Sequence, residues 1–154
     1  MLTEEERREI EEEAAHYVRP QAAAVDAMKI VQRHQGWVSE EALQDIGELL
    51  QMTKAELDSV ATFYNLVFRK PVGRHVILIC NSVSCWVMGY PGLREHLRLR
   101  LGIDLGQTPS DGRFTLLPIV CLGDCDHAPT LMIDNQLHRD LTPEKIDEIL
   151  ASHQ

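Results

Sequence analysis

Four cysteines are the residues of this chain best suited to chemistry. They stand as two pairs, Cys80-Asn-Ser-Val-Ser-Cys85 and Cys121-Leu-Gly-Asp-Cys125, with 35 residues between them. Thiolate sulfur favours soft ions, so four thiols together suit Zn²⁺ or an iron–sulfur cluster. Both spacings, C-x4-C and C-x3-C, are compatible with the short knuckles of structural zinc sites. C-x4-C also opens the plant-type ferredoxin pattern, but the C-x2-C that completes that pattern is absent. A dithiol oxidoreductase normally carries C-x2-C, which neither pair has. Spacing alone leaves an iron–sulfur cluster, a zinc site, and redox or plain buried thiols open, in that order.

The residues around the thiols could serve a cluster. Ser82, Ser84 and the backbone N–H groups of residues 81–85 can donate to sulfur, and Gly123 lets the backbone approach. Two ferric ions, two sulfides and four thiolates sum to −2, and reduction makes the sum −3. Asp124 and Asp126 would oppose that added charge, and His127 could offset it by taking a proton. Alternatively, all three are solvated loop residues.

Each pair follows an apolar run, His75–Cys80 and Phe114–Val120, that reads as a strand. The first run is nearly continuous, as in a strand buried on both faces. Pro118 within the second demands an edge position or a bulge. Between them, Pro91 opens a helix with Leu93, Leu97 and Leu101 on one face, and Gly102 closes it. Residues 129–133 form a third strand. Asp134-Asn135 turns into a short fourth over residues 136–139. Thr142-Pro143-Glu144 then caps a last helix carrying Ile146, Ile149 and Leu150. The strand–helix–strand start requires a parallel pair with a right-handed crossover.

The N-terminal half has a different character. Thr3 with Glu6 and Thr53 with Glu56 are capping boxes, and Ser39 can cap a helix between them. Apolar residues recur at helical spacing: Ala24, Met28 and Val31, then Leu43, Ile46, Gly47 and Leu50, then Leu57, Val60, Ala61 and Tyr64. The expected division is therefore an all-helical region over residues 1–70 and an α/β cysteine domain over residues 71–154.

With 15 basic and 24 acidic residues the net charge is −9. That disfavours nucleic acid and anionic membrane surfaces, both of which need clustered cations. Residues 3–13 alone carry seven Glu and two Arg, as a solvated helix face or a docking arm for a basic partner. An acidic N-terminus is unlike a secretory or transit signal. No apolar run reaches the roughly 18 residues of a membrane helix. A soluble cytosolic protein is expected, where thiols serve metals or redox chemistry rather than structural disulfides. No G-x-G-x-x-G nucleotide fingerprint is present. Trp37, Tyr64, Trp86 and Tyr90 are candidate partner contacts or local packing.

The cysteine pairs, with Cys121-Leu-Gly-Asp-Cys125-Asp-His-Ala-Pro129, resemble the thioredoxin-like [2Fe–2S] E-type subunits of NADH–quinone oxidoreductase, respiratory complex I. Supporting stretches are Ala61-Thr-Phe-Tyr64, Pro71-Val-Gly-Arg-His75, Asp111-Gly-Arg-Phe-Thr-Leu-Leu-Pro118 and Leu141-Thr-Pro143. Trp86 stands where some relatives have histidine, a change that leaves ligation untouched. The resemblance implies a thioredoxin-like [2Fe–2S] domain preceded by an all-helical region. It implies one [2Fe–2S] cluster on Cys80, Cys85, Cys121 and Cys125, and no catalytic residue on this chain. It also implies a partner subunit holding FMN and NADH, with single electrons exchanged between that flavin and the cluster, to the side of the main cluster chain. The assembly would be the proton-translocating complex, its peripheral arm on the cytoplasmic side of the inner membrane. Alternatives are the equivalent subunit of an NAD-linked hydrogenase or formate dehydrogenase, a zinc-stabilised interaction module, or a thiol oxidoreductase.

Overall fold

A computed structural model describes residues 1–153. The chain forms two compact units, Met1–Pro71 and Val72–Gln154.

The first unit is helical throughout: α1 (Glu4–Ala14), α2 (Ala24–Gln35), α3 (Glu40–Leu50) and α4 (Lys54–Phe63). Both capping boxes form, each with its threonine hydroxyl and its glutamate bonded reciprocally. Ser39 caps α3 through the Ala42 N–H. These bonds satisfy amides that a helix start leaves without partners. A 3₁₀ turn over Pro20–Ala23 delays α2, because proline lacks the amide a deeper helical position needs. Ile10, Met28, Val31, Leu43, Ile46, Leu50 and Leu57 make the core. Glu6 is fully buried, yet its carboxylate accepts from the Gln35 amide and the Thr3 N–H. Tyr64 departs from the expected helical face. It is the C-cap of α4, extended and exposed.

The second unit is a four-stranded sheet in the order β2-β1-β3-β4, from β1 (His75–Cys80), β2 (Phe114–Ile119), β3 (Leu131–Ile133) and β4 (Gln136–His138). β1 runs parallel to β2 and antiparallel to β3, and β3 pairs antiparallel with β4. This is the parallel start and hairpin end that the sequence predicts. Pro118 lies on β2, an edge strand, where its missing N–H costs no ladder bond. β3 begins at Leu131, two residues later than the expected start at Pro129. The helices of the unit are α5 (Val83–Val87), α6 (Tyr90–Leu101) and α7 (Pro143–Ser152). Ile77, Ile79, Leu97, Leu116, Leu131, Ile133 and Ile146 form its core. α5 leaves no mark in the sequence pattern, since five residues are too few to show a helical period.

Candidate functional site

Parallel pairing brings the two cysteine pairs together. β1 and β2 lie in register, with Cys80 opposite Ile119, so both strands end at the same end of the sheet. The Asn81 N–H donates to the Ile119 carbonyl at 3.0 Å, holding the two exits side by side. Cys80 is the last residue of β1, and its N–H donates to the Thr130 carbonyl at 3.2 Å. The short helix α5 then returns Cys85 to the same place. Cys80 and Cys85 are both buried. Cys121 and Cys125 follow the exposed Val120 and are themselves exposed.

Polar groups converge on the sulfurs. Burial pushes the Cys80 thiol up, but hydrogen bonds from the Ser82 and Leu122 backbone, Cys85 and Thr130 outweigh it and hold the thiol below its ordinary range. Cys85 is pushed up, by burial first and then by the neighbouring Cys80 sulfur. Its Sγ lies 3.7 Å from the Thr130 hydroxyl. Cys125 is pushed up chiefly through its hydrogen bond with Cys121, although Ser84 pulls the other way. The Gly123 N–H donates to the Cys121 Sγ at 3.2 Å, with Gly123 in the left-handed region at φ 78°. Ser82, Ser84 and Gly123 thus meet sulfur, as their positions suggest.

The Cys121 and Cys125 sulfurs are 3.8 Å apart. Two thiolates on one tetrahedral ion, at metal–sulfur bonds of about 2.3 Å, stand about 3.8 Å apart, so this pair is spaced to share an ion. A single tetrahedral ion on all four cysteines would require every sulfur to be that close to the other three. Among the described residues the one group of three ligand atoms within 4.8 Å is Asp124, Asp126 and His127, so no three thiols are gathered so tightly.

The acidic residues of the second loop are not equivalent. Asp126 is exposed, and Asp124 is largely covered and paired with Arg139. His127 lies between Asp126 and Asp140, at 3.8 and 3.3 Å. No pattern in the sequence links Arg139 to Asp124, because the pair is made by the return of the chain after β4.

An exposed apolar rim flanks the thiols: Val83, Trp86, Val87 and Met88 on and after α5, and Val120 before Cys121. The Trp86 ring stacks on Tyr90 at 5.4 Å, but Tyr90 is buried and only Trp86 faces out. In the helical unit Tyr64 is exposed and Trp37 is half-buried. Among the described residues no helix is long and apolar enough to cross a membrane.

The profile of the thioredoxin-like [2Fe-2S] ferredoxins matches residues 10–154. The chain is similar to the E subunit of NADH-quinone oxidoreductase from Pseudomonas aeruginosa, at 47% identity over 153 residues, or 99% of this chain and 92% of that protein. It is similar to the corresponding protein of Escherichia coli K12, which bears the same name, at 49% identity over 152 residues with the same two coverages. It also has the fold of part of an NAD+-reducing [NiFe]-hydrogenase solved in the H2-reduced state. That match has a TM-score of 0.73 at 23% identity, over 86% of this chain and 22% of that one.

Proposed function

The chain belongs to the thioredoxin-like [2Fe–2S] ferredoxin family, with the E subunits of NADH-quinone oxidoreductases, and on that premise we propose the identity of its cluster ligands and its redox partner. It serves electron transfer as a non-catalytic subunit of a larger NADH-linked oxidoreductase. Cys80, Cys85, Cys121 and Cys125 would together hold one [2Fe–2S] cluster. The bound cluster supplies one-electron chemistry beside a two-electron carrier.

The observation that carries this reading is the convergence of Cys80, Cys85, Cys121 and Cys125 at one end of the sheet, with the Cys121 and Cys125 sulfurs 3.8 Å apart. A dinuclear cluster takes two thiolates per iron, which four cysteines supply. The protein supplies the rest. The first pair is fixed in the core by β1, α5 and Thr130. The second pair is held at the surface by Gly123 and its loop. Donors on Ser82, Leu122 and Gly123 meet sulfur without adding negative charge.

The partner is the subunit that holds FMN and NADH. Support comes from the exposed rim of Val83, Trp86, Val87, Met88 and Val120 beside the exposed cysteines, because a large apolar surface next to a redox centre suits a docking face. The assembly is the peripheral arm of a proton-translocating NADH–quinone oxidoreductase on the cytoplasmic side of the membrane. Identities of 47% and 49% to E subunits favour it over an NAD-linked hydrogenase, whose likeness is one of fold at 23%.

Anaerobic purification with metal and sulfide analysis tests the cluster. The expected result is about two irons and two sulfides per chain, with an EPR signal after one-electron reduction that is lost on changing each cysteine to serine. A colourless protein with one zinc, not restored by iron and sulfide, refutes it. Co-purification with the flavin subunit tests the partner.

A further inference from the structure

We propose that Arg139 is a charge-compensating residue that sets the redox poise of the cysteine site by neutralising Asp124. This rests on the four-thiolate cluster proposed above. Asp124 directly precedes Cys125, and only 12% of its side chain is exposed. A carboxylate so placed adds a poorly screened negative charge to a site already anionic in its oxidised state. Arg139, the residue after β4, meets it as a fork: Nε donates to Oδ2 at 2.6 Å and a terminal nitrogen donates to Oδ1 at 3.2 Å. Two parallel bonds of this kind fix geometry as well as charge.

The surrounding charges do not replace Arg139. Asp126 and Asp140 flank His127, and both are more exposed than Asp124. Lys145 donates to the Asp140 backbone carbonyl rather than to a carboxylate of the loop. The fork is also seated on a backbone clasp. The Asp140 N–H donates to the His127 carbonyl at 2.9 Å, and the Leu141 N–H donates to the Pro129 carbonyl at 3.1 Å. Arg139 is therefore held against the second cysteine loop by the two residues that follow it, bonded to the segment after Cys125. It acts on the cluster through Asp124 and is a positioning residue, not a catalytic one.

The signs of two substitutions separate this role from a purely structural one. Arg139→Gln leaves the Asp124 carboxylate unpaired, which disfavours the more negative reduced state, so the midpoint potential falls. Asp124→Asn leaves the Arg139 cation unpaired, and the potential rises. The double variant returns close to the parent, and Arg139→Lys keeps most of the compensation. The potential is read by EPR amplitude in mediated titrations of the cluster-loaded protein at pH 8 and low salt. The shifts shrink as salt is added, because Arg139 is half exposed. Opposite shifts for the two single variants support the proposal. Shifts of the same sign, or none in either, overturn it while leaving the cluster assignment standing. A parent protein without any [2Fe–2S] signal overturns both. If Arg139→Gln fails to hold a cluster, the rise expected for Asp124→Asn and the near-parent value for Arg139→Lys still decide the matter.

Discussion

Gly123→Ala isolates what one backbone conformation contributes to the site. Gly123 sits at φ 78°, and its N–H donates to the Cys121 Sγ at 3.2 Å. A Cβ built there would meet nothing within 4 Å, so the substitution introduces no clash. What it introduces is a side chain in the left-handed region, worth roughly 1–2 kcal/mol. Alanine also has fewer conformations when the loop is open, which returns roughly half a kcal/mol. The net cost of closing the loop is then about 1 kcal/mol, or about fivefold in the open-to-closed ratio. The cost falls on the loop alone, because no packed atom is disturbed. The assay is the rate of cluster bleaching under a chelator, beside the melting temperature of the iron-free protein. Alanine should bleach about fivefold faster, with the melting temperature lowered by no more than about 4 °C. Gly123→Asn should lie between alanine and the parent, since asparagine tolerates this region. Bleaching at the parent rate would refute the role given to Gly123. A melting temperature lowered as by a core substitution would refute the claim that the cost is local.

Three further substitutions test other parts of the structure. Gly47→Ala should destabilise the protein by about 1 kcal/mol in urea unfolding, although alanine is the better helix former. Its Cβ would lie 2.6 Å from the Met52 carbonyl oxygen, and the Met52 N–H is bonded to the Gly47 carbonyl. His138 is held below its ordinary pKa by burial first and by His153 second, and its Nε2 is buried without a partner among the described residues. Its contribution is fully present above the unfolded histidine pKa of about 6.5 and is lost as pH falls from there through the lower folded value, so His138→Phe should shrink the drop in unfolding midpoint between about pH 8 and pH 5. Val87→Asp places a charge on the exposed rim of α5. It should leave the melting temperature unchanged and weaken binding of the flavin subunit by more than about tenfold, measured by calorimetry or co-purification.

Much of the fold is legible in the sequence because local chemistry decides it. Thr3 with Glu6 and Thr53 with Glu56 mark helix starts by a hydroxyl and a carboxylate three residues apart, and both boxes form. Pro118 marks an edge strand by its missing amide, and β2 is that edge. Asp134-Asn135 marks the hairpin, with Asp134 at φ 54°. What stays hidden depends on partners distant in sequence. Glu6 looks like one more surface acid in a charged run, and the distant Gln35 amide joins the Thr3 N–H of its own capping box to allow its burial. Tyr90 looks like an interface aromatic, yet it is covered by the fold and by Trp86. Arg139 and Asp124 are 15 residues apart with a strand pair between them, so no period or motif announces their bond. The cysteines stand out in the sequence as candidate ligands, but their unequal burial is not a matter of spacing. It follows from Cys80 ending a strand buried at the centre of the sheet, while Cys121 follows the half-buried end of an edge strand and the exposed Val120.

That inequality gives the two halves of the site different physical bases. Cys80 and Cys85 are placed by the core: β1 has strands on both sides, and moving either thiol would disturb Ile79, Leu131 or Thr130. Interiors are close-packed, so such movement is resisted by many contacts at once. Cys121 and Cys125 have no comparable packing. Their loop is held by separable devices: the Gly123 N–H, the Asp124–Arg139 fork and the backbone clasp at Asp140 and Leu141. Substitutions around the first pair should therefore act through folding, and those around the second through the cluster's retention and potential. The exposed half is also the half a redox partner can approach. Gly123 and Arg139 thus stand where small changes of loop closure or charge reach the chemistry without passing through the core.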